Sequence, residues 1–359
     1  MLGVFALAFV AAGTACSDST APHVVATGFL AGTSTNHEIG LVVNSTGKSM
    51  TLFQLGSPST QKQIALGTSS TVTPTGFSTR GQLAAVPLGN TASVALIDLS
   101  TATVKRYFTF ANGNATGSAF ADDTTIIVAN SNSNLVGRFT VNQTADGITS
   151  TANVAPQPTA VVIAGGRAVI VSANLDENFA PIGNGIVTAV DPKTMQVLGT
   201  ATSGGTNSTD VAVGPDGLVY VLNTGDYVAQ GSITIVNPAT MQVVTTIQNV
   251  GVGPGAISID DKGLAYISSF YAGTLVFDTK SRAFVRGPDN PVCAKVTGGS
   301  CRGAFAATTD AGGDIYQAFF GSSSQGLPPY VFVYKAGTYA LTDSVSVGTG
   351  PASLQVRTF

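Results

Sequence analysis

The chain has 359 residues, 16 Lys and Arg against 19 Asp and Glu, and a net charge of −3, so it offers no basic surface for nucleic acid. Only 10% of residues are charged, against about 25% in an average soluble domain, and 44% are hydrophobic. Even so, no internal apolar run approaches the ~20 residues that a membrane helix needs.

Leu2 to Ala12 is a short apolar stretch followed by Gly13, Thr14, Ala15 and Cys16. It is too short to span a bilayer comfortably and ends in small residues, as a secretory signal does. A Cys placed directly after a small residue resembles a bacterial lipoprotein signal, in which that Cys is lipidated and becomes the mature N-terminus. The polar segment Ser17 to Pro22 then resembles a tether. Two features depart from that pattern: no Lys or Arg precedes the apolar run, and Gly13 stands where such signals usually carry Leu. Ordinary cleavage after Ala15 fits the same residues. The expected organisation is a signal peptide over 1–15, a lipidated tether over 16–26 and one domain over 27–359. The expected address is the bacterial cell envelope, with the domain facing the periplasm or exterior and touching the membrane only through lipid on Cys16.

Beyond the tether, a strand-like unit returns about every 42 to 51 residues. Its second strand begins near Ile39, Gln82, Thr124, Arg167, Leu218, Leu264 and Asp314. A segment of small and apolar residues precedes it, starting at Pro74, Ala115, Pro158, Ser208, Pro254, Cys301 and Pro351. Both series have seven members but are out of step by one. A period of this size built from four strands marks a β-propeller, one repeat to a blade. The prediction is therefore an all-β, seven-bladed β-propeller closed by its C-terminal strand. Pro351 to Val356 would complete the first blade, which begins at Ile39, because an unsealed ring leaves open sheet edges. The segment HVVATGFLAG, His23 to Gly32, also has strand character and complicates the closure. Nothing reads as an amphipathic helix, and the 42 Gly fall largely between strands, where tight turns need them.

Setting Cys16 aside leaves Cys293 and Cys301. A loop of that length brings two side chains within bonding distance, and an oxidising compartment lets the bond persist. A zinc site is the rival reading, but it wants four ligands. A disulfide is expected, pinning the long connection between blades six and seven.

The clearest repeat reads VYVLN (Val219 to Asn223), SITIVN (Ser232 to Asn237), VVTTI (Val243 to Ile247) and then a Gly-Pro turn. The copies PGAISID from Pro254, GLAYISS from Gly263, GTLVFD from Gly273 and GIVTAVDPKTMQVLGT from Gly185 follow the same plan. This resembles the YVTN family of seven-bladed β-propeller repeats, most closely over residues 155–280. The resemblance implies an extracytoplasmic binding or surface protein. That family shares no single catalytic constellation, so it carries over no active-site residue.

Chemical motifs are scarce. The only histidines, His23 and His37, lie near the N-terminus and beside no nucleophile. With two His and no Trp, the chain does not suit the metal, haem or quinone propellers, and no cofactor or metal is expected. Gly251, Gly253 and Gly255 imitate part of a dinucleotide fingerprint but precede a strand, so they read as turn residues. Asn44, Asn114, Asn142 and Asn207 begin glycosylation-like triplets that reflect composition alone.

What remains is a surface. The loops joining second to third strands open on one face with the blade connections, and long loops on a rigid scaffold commonly bind. Blade four offers Asp176, Glu177 and Phe179; blade five Asp226 and Tyr227; blade six Phe270 and Tyr271; blade seven Phe319, Phe320 and Tyr330. Exposed rings beside carboxylates and amides suit a sugar or a peptide, unless the rings pack onto the blade edges. Asp210 and Arg302 break the small-residue pattern of the strand nearest the axis and mark the channel, either holding a ligand or facing water. The expected function is a monomeric binding or scaffold protein with a protein, peptide or glycan partner. The alternative is a hydrolase or lyase at the channel mouth, using Asp210 and a divalent cation.

Overall fold

The computed structural model describes residues 27–31, 38–295, 299, 301–321 and 326–359. The signal segment, Cys16, the tether, His23 and His37 lie outside the described residues.

The described chain forms seven four-stranded antiparallel sheets, the blades of a propeller. In blade one the innermost strand is Pro351–Thr358, followed outward by Glu38–Asn44, Ser49–Gln54 and Ser57–Ala65. The C-terminal strand thus closes the ring as expected, with Leu41 opposite Gln355 and Val43 opposite Ser353. The innermost strands of blades two to seven are Ser78–Arg80, Ala115–Phe120, Pro158–Ala164, Ser208–Val213, Pro254–Ile259 and Ala306–Thr309. Two of these start later than the sequence suggests: blade two pairs only from Ser78 rather than Pro74, and blade seven from Ala306 rather than Cys301.

The second strands explain why the chain reads as it does. In Val219–Asn223 every residue is buried, yet alternate residues serve different cores. Val219 and Val221 join the cluster shared with blade four, while Tyr220 and Leu222 join the one shared with blade six. Each blade is sandwiched between two neighbours, so a strand buried on both faces becomes a continuous apolar run. Seven such clusters fill the seven gaps between blades. The outer strands face solvent and alternate, as in Thr103–Thr109.

Turn chemistry repeats with the blades. The third strand ends in Asp98, Asn237 or Asp278, or just before Asp191, and the Oδ1 of each accepts the backbone N–H groups two and three residues on. The following residues Ala102, Met195, Met241 and Arg282 take left-handed φ values of 53°, 59°, 56° and 55°. These are Asx turns that reverse the chain into the outer strand.

The segment from His23 is not an extra blade strand where it is described. Gly28–Ala31 is a turn of 3-10 helix with Leu30 buried in the core between blades one and two. Gly28 has φ +58°, and a Cβ there would come 2.2 Å from the Ser100 carbonyl oxygen, so only glycine fits. The predicted disulfide is present, Cys293 to Cys301 with Cα atoms 5.4 Å apart. It ties off the connection between blades six and seven, whose Val292 pairs in both directions with the backbone of Thr274. No described helix is long and apolar enough to cross a membrane.

Candidate functional site

The innermost strands enclose a central cavity of about 800 Å³. A register shift near the start of these strands, as between Ser208 and Asp210, turns one residue per blade toward the mouth. In blades three to five that residue is Thr116, Thr159 or Thr209. Their hydroxyls stitch the ring together: Thr116 donates to the Pro158 carbonyl at 2.9 Å and Thr159 to the Ser208 carbonyl at 3.1 Å. Thr209 contacts Thr224 at 2.7 Å, and Thr224 donates to the Pro254 carbonyl at 2.6 Å. Each of these contacts, the last through Thr224, ends on a carbonyl of the next blade.

The opposite half of the mouth is aromatic. Phe270 packs where Gly255 leaves room, since a Cβ at Gly255 would stand 2.3 Å from its ring. The ring centroid of Phe305 lies 4.8 Å from that of Phe270 and 4.6 Å from that of Phe320. Tyr227 extends the row at 6.4 Å from Phe270. Phe320 ends it over Gly350, whose absent side chain leaves the ring space. Tyr271 flanks the row, with Gly253 between its ring and that of Tyr227. Phe270, Phe305 and Phe320 line the cavity itself, while Tyr227 and Tyr271 remain 43% and 61% exposed. Centroid spacings of 4.6 to 6.4 Å are those of interacting aromatic pairs.

Asp210 lines the cavity below this rim. Its Oδ1 accepts the backbone N–H of Val211 and its Oδ2 that of Ile257, both at 2.9 Å. The residue is half-buried in the channel wall. This desolvation pushes the carboxyl up to about 6, against the downward pull of the two N–H groups. Asp210 is the only carboxylate among the lining residues, and Arg357 the only other charged side chain there.

The remaining sequence candidates are placed differently. Arg302 is not in the channel: its guanidinium lies over the rings of Phe319 and Phe332, at 5.1 and 5.6 Å. The reason is the late start of the blade-seven strand, in which Ala306 pairs with Ala318 as Ala256 pairs with Ser268. Ala306, not Gly303, therefore stands at the height of Asp210. Phe319 and Tyr330 turn inward and pack with Phe332 in the core between blades six and seven. Asp176 and Asp226 each bind two N–H groups of their own loops, at Asn178 and Ala180 and at Val228 and Ala229. Glu177 is exposed, and Phe179 is 70% exposed and makes no ring contact with the aromatic row.

Phe305 belongs to the site, although it lies outside the long loops that the sequence points to. A signal for it exists. Tyr220, Tyr266 and Tyr316 hold equivalent places and donate to Asp216, Asp260 and Asp310. Each faces the same position of its innermost strand, Ala212, Ser258 or Thr308. Aligning blade seven on Tyr316 puts Phe305 at the mouth, level with Thr209.

No family model matches the chain, and no curated protein matches it. Among solved structures it resembles hydrazine synthase of Kuenenia stuttgartiensis, with a TM-score of 0.62 and 13% identity over 82% of this chain and 97% of that one. The likeness shows the fold alone. In all, 1416 solved chains match, the breadth of a widely reused scaffold, so function must be argued from the site.

Proposed function

We propose that the protein is a binding or scaffold propeller of the bacterial cell envelope. It engages a protein, peptide or glycan partner at the channel mouth. The observation that supports this reading is the row Tyr227, Phe270, Phe305 and Phe320, which joins loops of three blades into one partly exposed aromatic surface. Rings left in water around a concavity are a usual feature of ligand sites. The YVTN-like repeats and the lipoprotein-like N-terminus agree with an exported, lipid-anchored monomer. The cation-dependent hydrolase or lyase is the weaker reading, because Asp210 has no second carboxylate beside it in the lining. Among the described residues no three His, Cys, Asp or Glu side chains converge on a common point.

The test is retention of glycans, peptides and envelope proteins by the immobilised domain from Ser17. Wild type should hold a defined ligand that the Phe270→Ala and Tyr227→Ala variants release. Retention of the same ligands by both variants would move the binding surface elsewhere.

A further inference from the structure

We propose that the channel mouth binds an organic ammonium group carried on an apolar stem, the cation meeting Asp210 and the stem lying against Phe270, Phe305 and Phe320. This rests on the reading of the mouth as a ligand site and names the chemistry it selects.

The first argument is the match of donors and acceptors. A carboxylate has about four acceptor positions, and Asp210 uses one on each oxygen for Val211 and Ile257. The hydroxyls of Thr116 and Thr159 direct their protons into carbonyls of the next blade, which leaves their oxygens to accept. The phenylalanine rim has no hydrogen-bonding group at all. Asp210, Thr116, Thr159 and the three phenylalanine rings therefore present acceptors and π faces. A sugar hydroxyl both donates and accepts, whereas an ammonium only donates, through three N–H bonds.

The second argument is charge. Arg357 lies four residues beyond Ser353, the blade-one residue at the height of Asp210, or roughly 13 Å along the strand. Burial, and then the like charge of Arg80, hold Arg357 below its ordinary value, with no contribution from Asp210. Asp210 thus holds an uncompensated negative charge in a partly enclosed space, where a cation is attracted strongly.

The third argument is depth. Phe270 packs on Gly255, and Asp210 binds the N–H of Ile257, two residues farther along the same strand. A stem passing the rings therefore delivers its head to the carboxylate, and the ring faces attract the same cation on the way. A free alkylamine and a lysine side chain share this chemistry.

Calorimetry on the whole domain at neutral pH tests the proposal with hexylamine, 1-hexanol, and a blocked Gly-Lys-Gly peptide beside its N-acetyl-lysine form. Hexylamine should bind about 30-fold or more tightly than hexanol, the scale of losing one partner of a charged hydrogen-bonded pair. Asp210→Asn should erase that preference, and Phe305→Ala should weaken hexylamine while leaving its advantage over hexanol. Binding of the lysine peptide but not the acetylated one assigns the site to a peptide partner; binding of hexylamine alone assigns it to a free amine. Equal affinity for hexylamine and hexanol in wild type, or no binding of either amine, overturns the proposal whatever the variants do. A neutral ligand retained through Phe270 would then leave the broader binding function standing.

Discussion

The Asp210 carboxylate of blade five accepts the backbone N–H of Ile257 in blade six at 2.9 Å. One side chain therefore satisfies a main-chain donor of its neighbour while facing the channel with its remaining lone pairs. It does so at an electrostatic cost. In the unfolded chain an Asp carboxyl ionises near its ordinary value of about 3.9, but here it keeps its proton until about pH 6. The folded state binds more protons across that window, so stability is greatest below it and falls as pH rises through it, by at most about 3 kcal/mol. Asp210→Asn should flatten the melting temperature between about pH 4 and pH 7 and raise it at the upper end. Parallel profiles for variant and wild type would show that this carboxyl titrates normally.

Among the described residues Asn223 is the most heavily used buried amide. Its Oδ1 accepts from Ser203 and Ser208 at 2.6 Å, and its Nδ2 donates to Ser232 and Thr234 at 3.0 Å. Asn223→Ala removes the side-chain partner of the buried Ser208 and Ser232 hydroxyls, while Ser203 and Thr234 keep each other. The expected loss is about 3 kcal/mol, read as a lower urea midpoint with an unchanged slope.

Ending the chain after Gly350 removes the innermost strand of blade one. Glu38–Asn44 becomes a bare edge, and the core face that Leu354 covers between blades seven and one is opened. The truncated protein should be recovered mainly as aggregate, since a long apolar edge templates intermolecular pairing. Recovery of a soluble monomer with a normal melting temperature would mean that the ring does not depend on this closure.

Reducing the Cys293–Cys301 bond frees a short loop. The loop-closure model assigns it about 2–3 kcal/mol. A matching drop in melting temperature is expected with reductant, and Cys293→Ser/Cys301→Ser should show the lower value without it.

Cys16→Ser tests the anchor. The variant should move from the membrane fraction to the soluble one, whereas unchanged fractionation would leave ordinary cleavage after Ala15 as the reading.

The blade count and the closure are legible in the sequence because the second strands are buried on both faces. Runs such as Val219–Asn223 stay apolar regardless of alternation and recur at a steady spacing. The site is less legible. Cys301 and Arg302 imitate the start of an innermost strand because the disulfide-tied connection ends in the same small residues, and this displaces Arg302 and hides Phe305. Phe319 and Phe320 are neighbours in sequence, but alternation sends one into the core and the other to the mouth. The acidic loop residues look like ligands until their turns are seen, because an Asx turn and a binding carboxylate use the same side chain.

The closure of blade one also has a mechanical consequence. Glu38 lies opposite Thr358 at one end of the ladder, and Asn44 opposite Pro351 at the other. Tension applied between residues 38 and 358 would separate the rungs one after another from a single end, not shear them all together. The seam is therefore a zipper and not a rivet: a modest pull opens the circle there, while blades away from the seam keep their folded sheets.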